Sequence, residues 1–189
     1  MDGVVVDLGS GNDRRHPRFL NVDLLPYPEV DVVCEGDRLP FANDSIDVVV
    51  CIVVLEHVPN SRTVIREVTR VLRPGGRFYA VVPFLQPFHA APHDYRRWTL
   101  PGLGEDLEEL MVHEHGVYGG PASAMAWWLG ESLAFALSFG SSRLRGWLSL
   151  PLQALFSPIK WLDVVAVHHP DAHRLASSIW VEARKPDSR

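Results

Sequence analysis

The sequence predicts an α/β protein with a Rossmann-like open sheet, mostly parallel with an antiparallel edge. Two observations favour this fold. Short runs of β-branched residues alternate with loops and helical segments, and the first two runs carry an acidic residue near their carboxyl end. A strongly apolar segment then interrupts the alternation before the last strand, and it is expected to be a helical insert. Since 189 residues suffice for one domain with a substantial core, we expect a single domain over 1–189 with the insert at 121–175.

The first strand is expected at residues 4–8 and is followed by the turn Gly9-Ser10-Gly11. Only residues 12–18 separate this turn from a second strand at 19–23. That spacing is too short for a full crossover helix, so either one helical turn or an irregular loop fills it. A short third strand is expected at 30–34, after a loop marked by prolines.

The unbroken apolar run at 45–52 indicates a central strand that is buried on both faces. An amphipathic helix is expected from about 60 to 72, and Pro74-Gly75-Gly76 should end it. The remaining expected elements are a strand at 77–82, a helix at 100–110, a strand at 111–117 and a strand at 177–183. The late strand pair around the insert would form the antiparallel edge.

Composition excludes several classes of protein. Hydrophobic residues make up 47% of the chain, which argues against global disorder, and the net charge of −5 argues against a nucleic-acid partner. The two cysteines, Cys34 and Cys51, lie in apolar runs and are expected to be buried thiols. No signal peptide is recognisable at Met1, so a cytoplasmic location is the expectation.

Several short motifs follow one another along the first half of the chain. In order they are Asp7-Leu8-Gly9-Ser10-Gly11, Asn21-Val22-Asp23, Asp37-Arg38-Leu39-Pro40-Phe41, Asp47-Val48-Val49-Val50, Leu55-Glu56-His57-Val58 and Arg70-Val71-Leu72-Arg73-Pro74-Gly75-Gly76. Their joint order and spacing resembles the class I S-adenosylmethionine-dependent methyltransferases, and most of all their type 11 branch. The resemblance covers roughly residues 3 to 100 and implies S-adenosylmethionine as the cofactor.

The resemblance implies roles for the residues at the ends of the first two strands. Gly9 and Gly11 would let the backbone approach the methionine part of the cofactor, and Asp7 would face its amino-acid end directly or through water. Asp23 would accept hydrogen bonds from both ribose hydroxyls. Taken singly, Asp7 or Asp23 could instead cap a turn or helix. The third glycine of the usual loop is absent, since Asn12 follows Gly11.

The resemblance also implies cofactor contacts further along the chain. Asp37 would accept a hydrogen bond from the adenine amino group, and Leu39 would pack near the ring. Cys51 and Ile52 would line the floor under the sulfonium. Without the family, Leu39 and Ile52 would be interpreted as ordinary core residues.

Three histidines on loops at the expected carboxyl edge are candidates for the catalytic base of a hydroxyl acceptor: His57, His89 and His93. We favour His89 or His93. For each one, a structural or surface role is the competing interpretation. The spacing of four between His89 and His93 does not indicate a metal site, because prolines exclude a helix there, and no metal is expected.

The loop at 83–98 is dense in prolines and polar side chains. Asp94 could orient an imidazole, and Tyr95 and Arg96 could bind a polar substrate. The competing interpretation is that these three residues only anchor the loop to the helix that follows.

The insert leaves three interpretations open. It could form a hydrophobic lid or homodimer surface, an interfacial helix pair in peripheral contact with a membrane, or a membrane span. Glu131, Pro151 and Pro158 interrupt its apolar character.

The predicted function is methyl transfer to a small polar acceptor through a hydroxyl, such as a sugar or a glycan or lipid-linked intermediate. The sugar suggestion rests on family association alone. The alternative is a non-catalytic or degenerate methyltransferase-like module that acts through its apolar insert as a partner- or membrane-binding protein. The shortened cofactor loop supports that alternative.

Overall fold

The computed structural model describes residues 3–90 and 92–187. These residues form two compact units. The first contains residues 3–82, the described part of 90–115 and 180–187, and the second contains residues 83–89 and 116–179.

The described residues include seven strands: β1 Val5–Leu8, β2 Phe19–Asp23, β3 Val32–Val33, β4 Ile46–Ile52, β5 Leu72–Pro83, β6 Met111–Gly119 and β7 Ser178–Arg184. They form one mixed sheet in the order β3-β2-β1-β4-β5-β7-β6. The predicted fold class, a mostly parallel Rossmann-like sheet with one antiparallel edge, is confirmed.

The parallel part of the sheet is built around β1, which lies between β2 and β4. Asp7 on β1 is in register with Asn21 on β2 and with Val50 on β4. All four residues of β1 are buried. The carboxyl ends of β1, β2 and β4 therefore meet at one edge, which is where ligands bind in open sheets of this kind.

The last strand, β7, runs against β5. The N–H of Gly75, early in β5, donates to the carbonyl of Lys185, just after β7, at 2.9 Å. At the other end, the N–H of Phe84 donates to the carbonyl of Ser177 at 2.9 Å. The start of one strand thus faces the end of the other, which is the antiparallel arrangement.

In the first unit, a 3₁₀ helix at Leu55–His57 follows β4, and two α-helices follow: α1 at Ser61–Val71 and α2 at Leu100–Asp106. Helix α1 buries Val64, Ile65 and Val68 at the predicted spacing. It ends at Val71, because Leu72 is already extended and begins β5. The prediction that Pro74-Gly75-Gly76 ends the helix was wrong, since these residues lie within β5.

The predicted helical insert is confirmed in the second unit. It contains α3 at Pro121–Leu137, α4 at Ser142–Phe156 and α5 at Asp163–Ala166, with 3₁₀ helices at Ser157–Leu162 and Ala172–Arg174. Among the described residues, none of the helices combines the length and the apolar character needed to cross a membrane.

The first crossover, residues 12–18, contains turns and bends and no helix. Of the two alternatives for this gap, the irregular loop is therefore the one found. Two elements differ in length from the prediction: β3 has only two residues, and β5 begins five residues earlier than expected.

Candidate functional site

In the loop after β1, Gly9 is packed against other residues, whereas Gly11 faces open space. The N–H of Gly9 donates to the carbonyl of Val22 at 2.8 Å, and its φ is +72°. A Cβ at Gly9 would lie 2.3 Å from Cγ2 of Val54. At Gly11, with φ +60°, an added Cβ would meet no atom within 4 Å. The backbone at Gly11 therefore faces open space, and a ligand could lie against it.

The carboxylate of Asp23, at the end of β2, is tied to this loop. Its Oδ2 accepts a hydrogen bond from the N–H of Gly11 at 2.8 Å, and its Oδ1 accepts one from the N–H of Leu25 at 2.9 Å. A carboxylate has about four acceptor positions, so both oxygens retain the capacity for one more bond. The structure thus brings together two of the residues that the sequence predicted for the cofactor, Gly11 and Asp23.

Asp7 is fully buried at the end of β1 and contacts Arg15 rather than open space. Nη1 of Arg15 donates to Oδ1 at 2.6 Å and lies 2.5 Å from Oδ2. Burial raises the pKa of Asp7 above its ordinary value, while the hydrogen bond and charge of Arg15 act in the opposite direction. Arg15 was not among the site residues predicted from the sequence. The pair of arginines in the shortened crossover was the signal that could have found it.

The loop after β3 separates two of the predicted cofactor residues. Asp37 is exposed, whereas Leu39 is buried. The N–H of Leu39 donates to Oε1 of Glu67 at 2.8 Å, and its carbonyl accepts from Nη2 of Arg70 at 3.1 Å. The hydrogen bond from Arg70 holds the pKa of Glu67 below its ordinary value. This ion pair on α1 fixes the backbone of the loop.

The end of β4 carries the two residues predicted to lie under the sulfonium. Cys51 is fully buried, and burial raises the pKa of its thiol far above the ordinary value. Ile52 is partly exposed.

Val53 follows β4 with a φ of +58°, which is rare for a β-branched residue and strains the backbone. Its N–H donates to the carbonyl of Val81 at 2.9 Å. The next residue, Val54, fills the space that the missing side chain of Gly9 leaves.

His57 lies at the end of the 3₁₀ helix after β4, and its ring has a fixed orientation. Nδ1 is 2.6 Å from the carbonyl oxygen of His93. Because a carbonyl can only accept, Nδ1 carries the hydrogen, and Nε2 is the basic nitrogen of the neutral ring. Nε2 lies 3.7 Å from Oε1 of the buried Glu56, whose carbonyl accepts from the N–H of Tyr95 at 2.8 Å.

Two of the predicted substrate residues hold the loop at 92–98 in place. Asp94 pairs with Arg97, whose Nη2 donates to Oδ2 at 2.6 Å. Arg96 donates to Oγ of Ser61 at 2.9 Å and to the carbonyl of Pro59 at 2.5 Å.

His93 and Tyr95 flank Asp94 on this loop. Both are exposed, with ring centroids 5.6 Å apart. Solvent, and therefore a substrate, can reach both side chains.

His89 belongs to the second unit. Its Nδ1 lies 3.0 Å from the carbonyl of Pro87, and its ring centroid lies 5.5 Å from that of Trp127. A catalytic role for His89 remains a prediction.

A cavity of about 220 Å³ lies at the opposite edge of the sheet, at the amino ends of β1, β4 and β5. Its wall contains an ion pair between Arg73 and Asp47 at 2.6 Å. Because open α/β sheets bind ligands at the carboxyl ends of their strands, we place the functional site at the loop after β1 and not in this cavity.

Part of the chain is similar to known methyltransferases. Residues 7–80 match the family model of the methyltransferase domain. The chain is 53% identical over 49 residues to the human thiol S-methyltransferase TMT1A, covering 25% of this chain and 20% of that protein. It is 47% identical over 141 residues to the ubiquinone biosynthesis O-methyltransferase of Aeromonas salmonicida, covering 62% of this chain and 58% of that protein. The chain thus spans between a fifth and three fifths of the lengths of these relatives.

Among solved structures, the fold matches the 1,6-didemethyltoxoflavin-N1-methyltransferase of Burkholderia thailandensis, which was crystallised with 1,6-didemethyltoxoflavin and S-adenosylhomocysteine. The TM-score is 0.57 at 20% identity, with 98% of this chain and 72% of that chain covered. The order of the motifs, the order of the strands and the family match point to the same conclusion: residues 7–80 match the model of the methyltransferase-domain family, and the sheet has the fold and the motif order of class I S-adenosylmethionine-dependent methyltransferases.

Proposed function

We propose that this protein is a methyltransferase that moves the methyl group of S-adenosylmethionine to a small polar acceptor, with a hydroxyl oxygen as the accepting atom. The observation that carries the proposal is the pairing of Asp23 with the open backbone at Gly11. It supplies a carboxylate with spare acceptor capacity beside a stretch of bare peptide. A nucleoside with a ribose diol and an amino-acid tail needs both features.

The residues around this loop fit the cofactor. Gly11 leaves the backbone accessible, Gly9 shapes the turn before it, and Asp23 is positioned to accept from the ribose hydroxyls. Asp7 would act through Arg15, whose guanidinium stands at the buried carboxylate and can bind the carboxylate of the methionine part.

The remaining cofactor roles belong to the loop after β3 and to the end of β4. Asp37 is exposed and can reach the adenine amino group, while Leu39 supports the loop from the core. Cys51 and Ile52, at the end of β4, form the floor of the cofactor site under the sulfonium. The bound cofactor supplies an activated methyl group on a sulfonium, so alignment and exclusion of water are the main tasks of the protein.

His57 is the residue whose geometry best suits a general base. The carbonyl of His93 fixes its tautomer, which makes Nε2 the nitrogen that can take a proton from an acceptor hydroxyl. His93 then has a positioning role through its backbone, and its exposed ring together with Tyr95 is available to the acceptor. The likeness to an O-methyltransferase over 141 residues supports oxygen as the accepting atom.

Calorimetry with S-adenosylmethionine and S-adenosylhomocysteine tests the cofactor site. Asp23→Ala should weaken binding about 10- to 100-fold, because it removes hydrogen bonds to a charged group. Asp44→Ala is the matched control, since Asp44 is exposed and pairs with Lys185. If the wild-type protein binds neither compound, the enzyme proposal is wrong and the non-catalytic alternative takes its place.

Turnover with hydroxyl, thiol and amine acceptors then tests the reaction, with formation of S-adenosylhomocysteine as the readout. His57→Gln should lower kcat about 10²- to 10⁴-fold and leave cofactor affinity unchanged. His93→Gln should have a smaller effect, because its backbone carbonyl remains. Methylation of thiols with no methylation of hydroxyls would refute the proposed acceptor and leave the cofactor assignment standing.

A further inference from the structure

In the hairpin formed by α3 and α4, small side chains are buried and large apolar side chains are exposed, which is the reverse of the usual arrangement. Along α3, small residues four apart lie buried: Ala122, Ala126, Gly130 and Ala134. Several large side chains of α3 are exposed, and Phe135 is exposed to 73%. A Cβ at Gly130 would come within 3.1 Å of Cα of Gln153, so the two helices are in close contact at this glycine.

Polar side chains of α4 face α3. Arg145, Ser149 and Gln153 are spaced four apart, and all three donate to the carboxylate of Glu131. Nε2 of Gln153 donates to Oε1 at 2.7 Å, and Nη1 of Arg145 donates to Oε2 at 3.3 Å. The contact between the helices therefore includes small and polar groups.

The other sides of α4 are apolar and exposed. None of its residues is buried. Trp147, Leu150 and Leu155 expose 78%, 76% and 65% of their surface, and Phe139 in the connection between the helices exposes 89%. A helix that packs on a protein core turns its apolar stripe inward, whereas this helix turns it outward. Exposed apolar patches of this kind mark a surface that binds another protein or a membrane.

The charge and the tryptophan content of the hairpin indicate what covers its apolar surface. From residue 132 to residue 162 the chain has no acidic residue and three cations, Arg143, Arg145 and Lys160. Trp161, in the 3₁₀ helix after α4, is 78% exposed like Trp147. Tryptophan is enriched where hydrocarbon meets headgroups, and cations near such a surface attract anionic lipids.

We propose that this hairpin binds the surface of a bilayer that contains anionic phospholipid. The outer surface of the hairpin, made by Phe135, Phe139, Trp147, Leu150, Leu155 and Trp161, enters the boundary between headgroups and acyl chains. Small residues and polar bonds between the helices are the contacts that hold helices together in lipid, where apolar side chains gain nothing by facing each other. Arg143 and Lys160 contact the headgroups.

Flotation of the full-length protein with vesicles tests this proposal. Vesicles of phosphatidylcholine are compared with vesicles in which part of that lipid is replaced by phosphatidylglycerol. The wild-type protein should float with the anionic vesicles and bind the neutral ones more weakly. Arg143→Gln with Lys160→Gln should weaken binding to anionic vesicles by about fivefold for each cation removed.

A second pair of variants tests the apolar contact. Trp147→Glu with Leu155→Glu should reduce binding more than about tenfold, because two large apolar side chains no longer leave water. Val33→Glu with Met111→Glu is the control, since these residues are 52% and 59% exposed, lie in the first unit and change the net charge equally. Circular dichroism and cofactor calorimetry show whether each variant is folded.

Three outcomes would overturn the proposal. The first is failure of the wild-type protein to bind either kind of vesicle. The second is equal loss of binding in both double-glutamate variants, which would mean that charge alone governs association. The third is a lipid-free dimer that Trp147→Glu with Leu155→Glu converts to a monomer, together with absence of vesicle binding, which would show that a second copy covers the outer surface.

Discussion

The same substitution should lower stability more at Gly9 and cofactor binding more at Gly11, the two glycines of the loop after β1. Gly9→Ala forces an alanine to take φ +72° and places its Cβ 2.3 Å from Cγ2 and 2.8 Å from Cγ1 of Val54. The left-handed conformation costs an L-residue about 1–2 kcal/mol, and overpacking a core contact costs about 1–3 kcal/mol more. We therefore expect the free energy of unfolding to fall by about 2–5 kcal/mol.

Gly11→Ala imposes a similar backbone strain, with φ +60°, but its Cβ meets nothing within 4 Å. Its cost to stability should be about 1–2 kcal/mol. Since about 1 kcal/mol shifts Tm by roughly 2–4 °C in a chain of this size, the two variants are separable in a thermal melt. Cofactor binding should show the reverse order, because the methyl group at Gly11 enters the space that we assign to S-adenosylmethionine.

The assay is thermal unfolding followed by circular dichroism, combined with calorimetry of cofactor binding. A double variant, Gly9→Ala with Val54→Ala, should recover the part of the loss that comes from the clash and not the part that comes from backbone strain. If Gly11→Ala binds the cofactor as the wild type does, Gly11 does not face the cofactor. If Gly9→Ala melts like the wild type, the contact with Val54 is absent in solution.

Two further predictions concern the core and the insert. Asp163→Ala should lower the free energy of unfolding by about 1–2 kcal/mol in urea titrations, because the Asp163 carboxylate accepts from the N–H groups of Ala122 and Ser123 at the start of α3. Asp171→Ala, at an exposed pair with Arg174, is its control and should have little effect. An aromatic disulfide reagent should titrate one thiol, Cys34, in the native protein and both thiols in urea, because Cys51 is fully buried and burial raises its pKa. Two fast thiols in the native protein would contradict this.

The sequence predicted those elements whose pattern is local. Strands β2 and β4 are found within one residue of the expected bounds, because their apolar runs are bounded by polar turns. Strand β5 was misjudged at its start, because its first residues pair with Lys185, more than 100 residues away along the chain. Nothing in the local sequence Pro74-Gly75-Gly76 indicates that it pairs with Lys185.

The candidate site also contains residues that the sequence predicted and residues that it did not. The motifs identified Gly11 and Asp23, and the structure joins them by a hydrogen bond. The positive φ of Val53 was not predictable, because a valine in a strand-like run favours extended backbone. The contact between Val54 and Gly9 depends on that unusual turn, so it too was beyond the reach of the sequence.

The shortened first crossover is held by two adjacent arginines in place of a helix. Arg14 donates to Oε2 of Glu29 at 2.8 Å and to Oδ1 of Asp31 at 2.9 Å, while Arg15 binds Asp7. The hydrogen bond from Arg14, helped by the N–H of Asn21, holds the pKa of Asp31 below its ordinary value. Burial raises the pKa of Asp7 above its ordinary value in spite of Arg15.

Opposite pKa shifts require opposite dependence of stability on pH. The contribution of Asp31 is present above its unfolded pKa and is lost as the pH falls through its lower folded value. The contribution of Asp7 is present below its unfolded pKa and is lost as the pH rises through its higher folded value. As the pH rises from about 2 to 7, the Tm of Asp31→Asn should therefore fall relative to the wild type, and the Tm of Asp7→Asn should rise relative to it. Melting curves across this range measure both differences. A fall in both differences would mean that Arg15 outweighs burial at Asp7, so that the folded pKa of this carboxylate lies below its ordinary value.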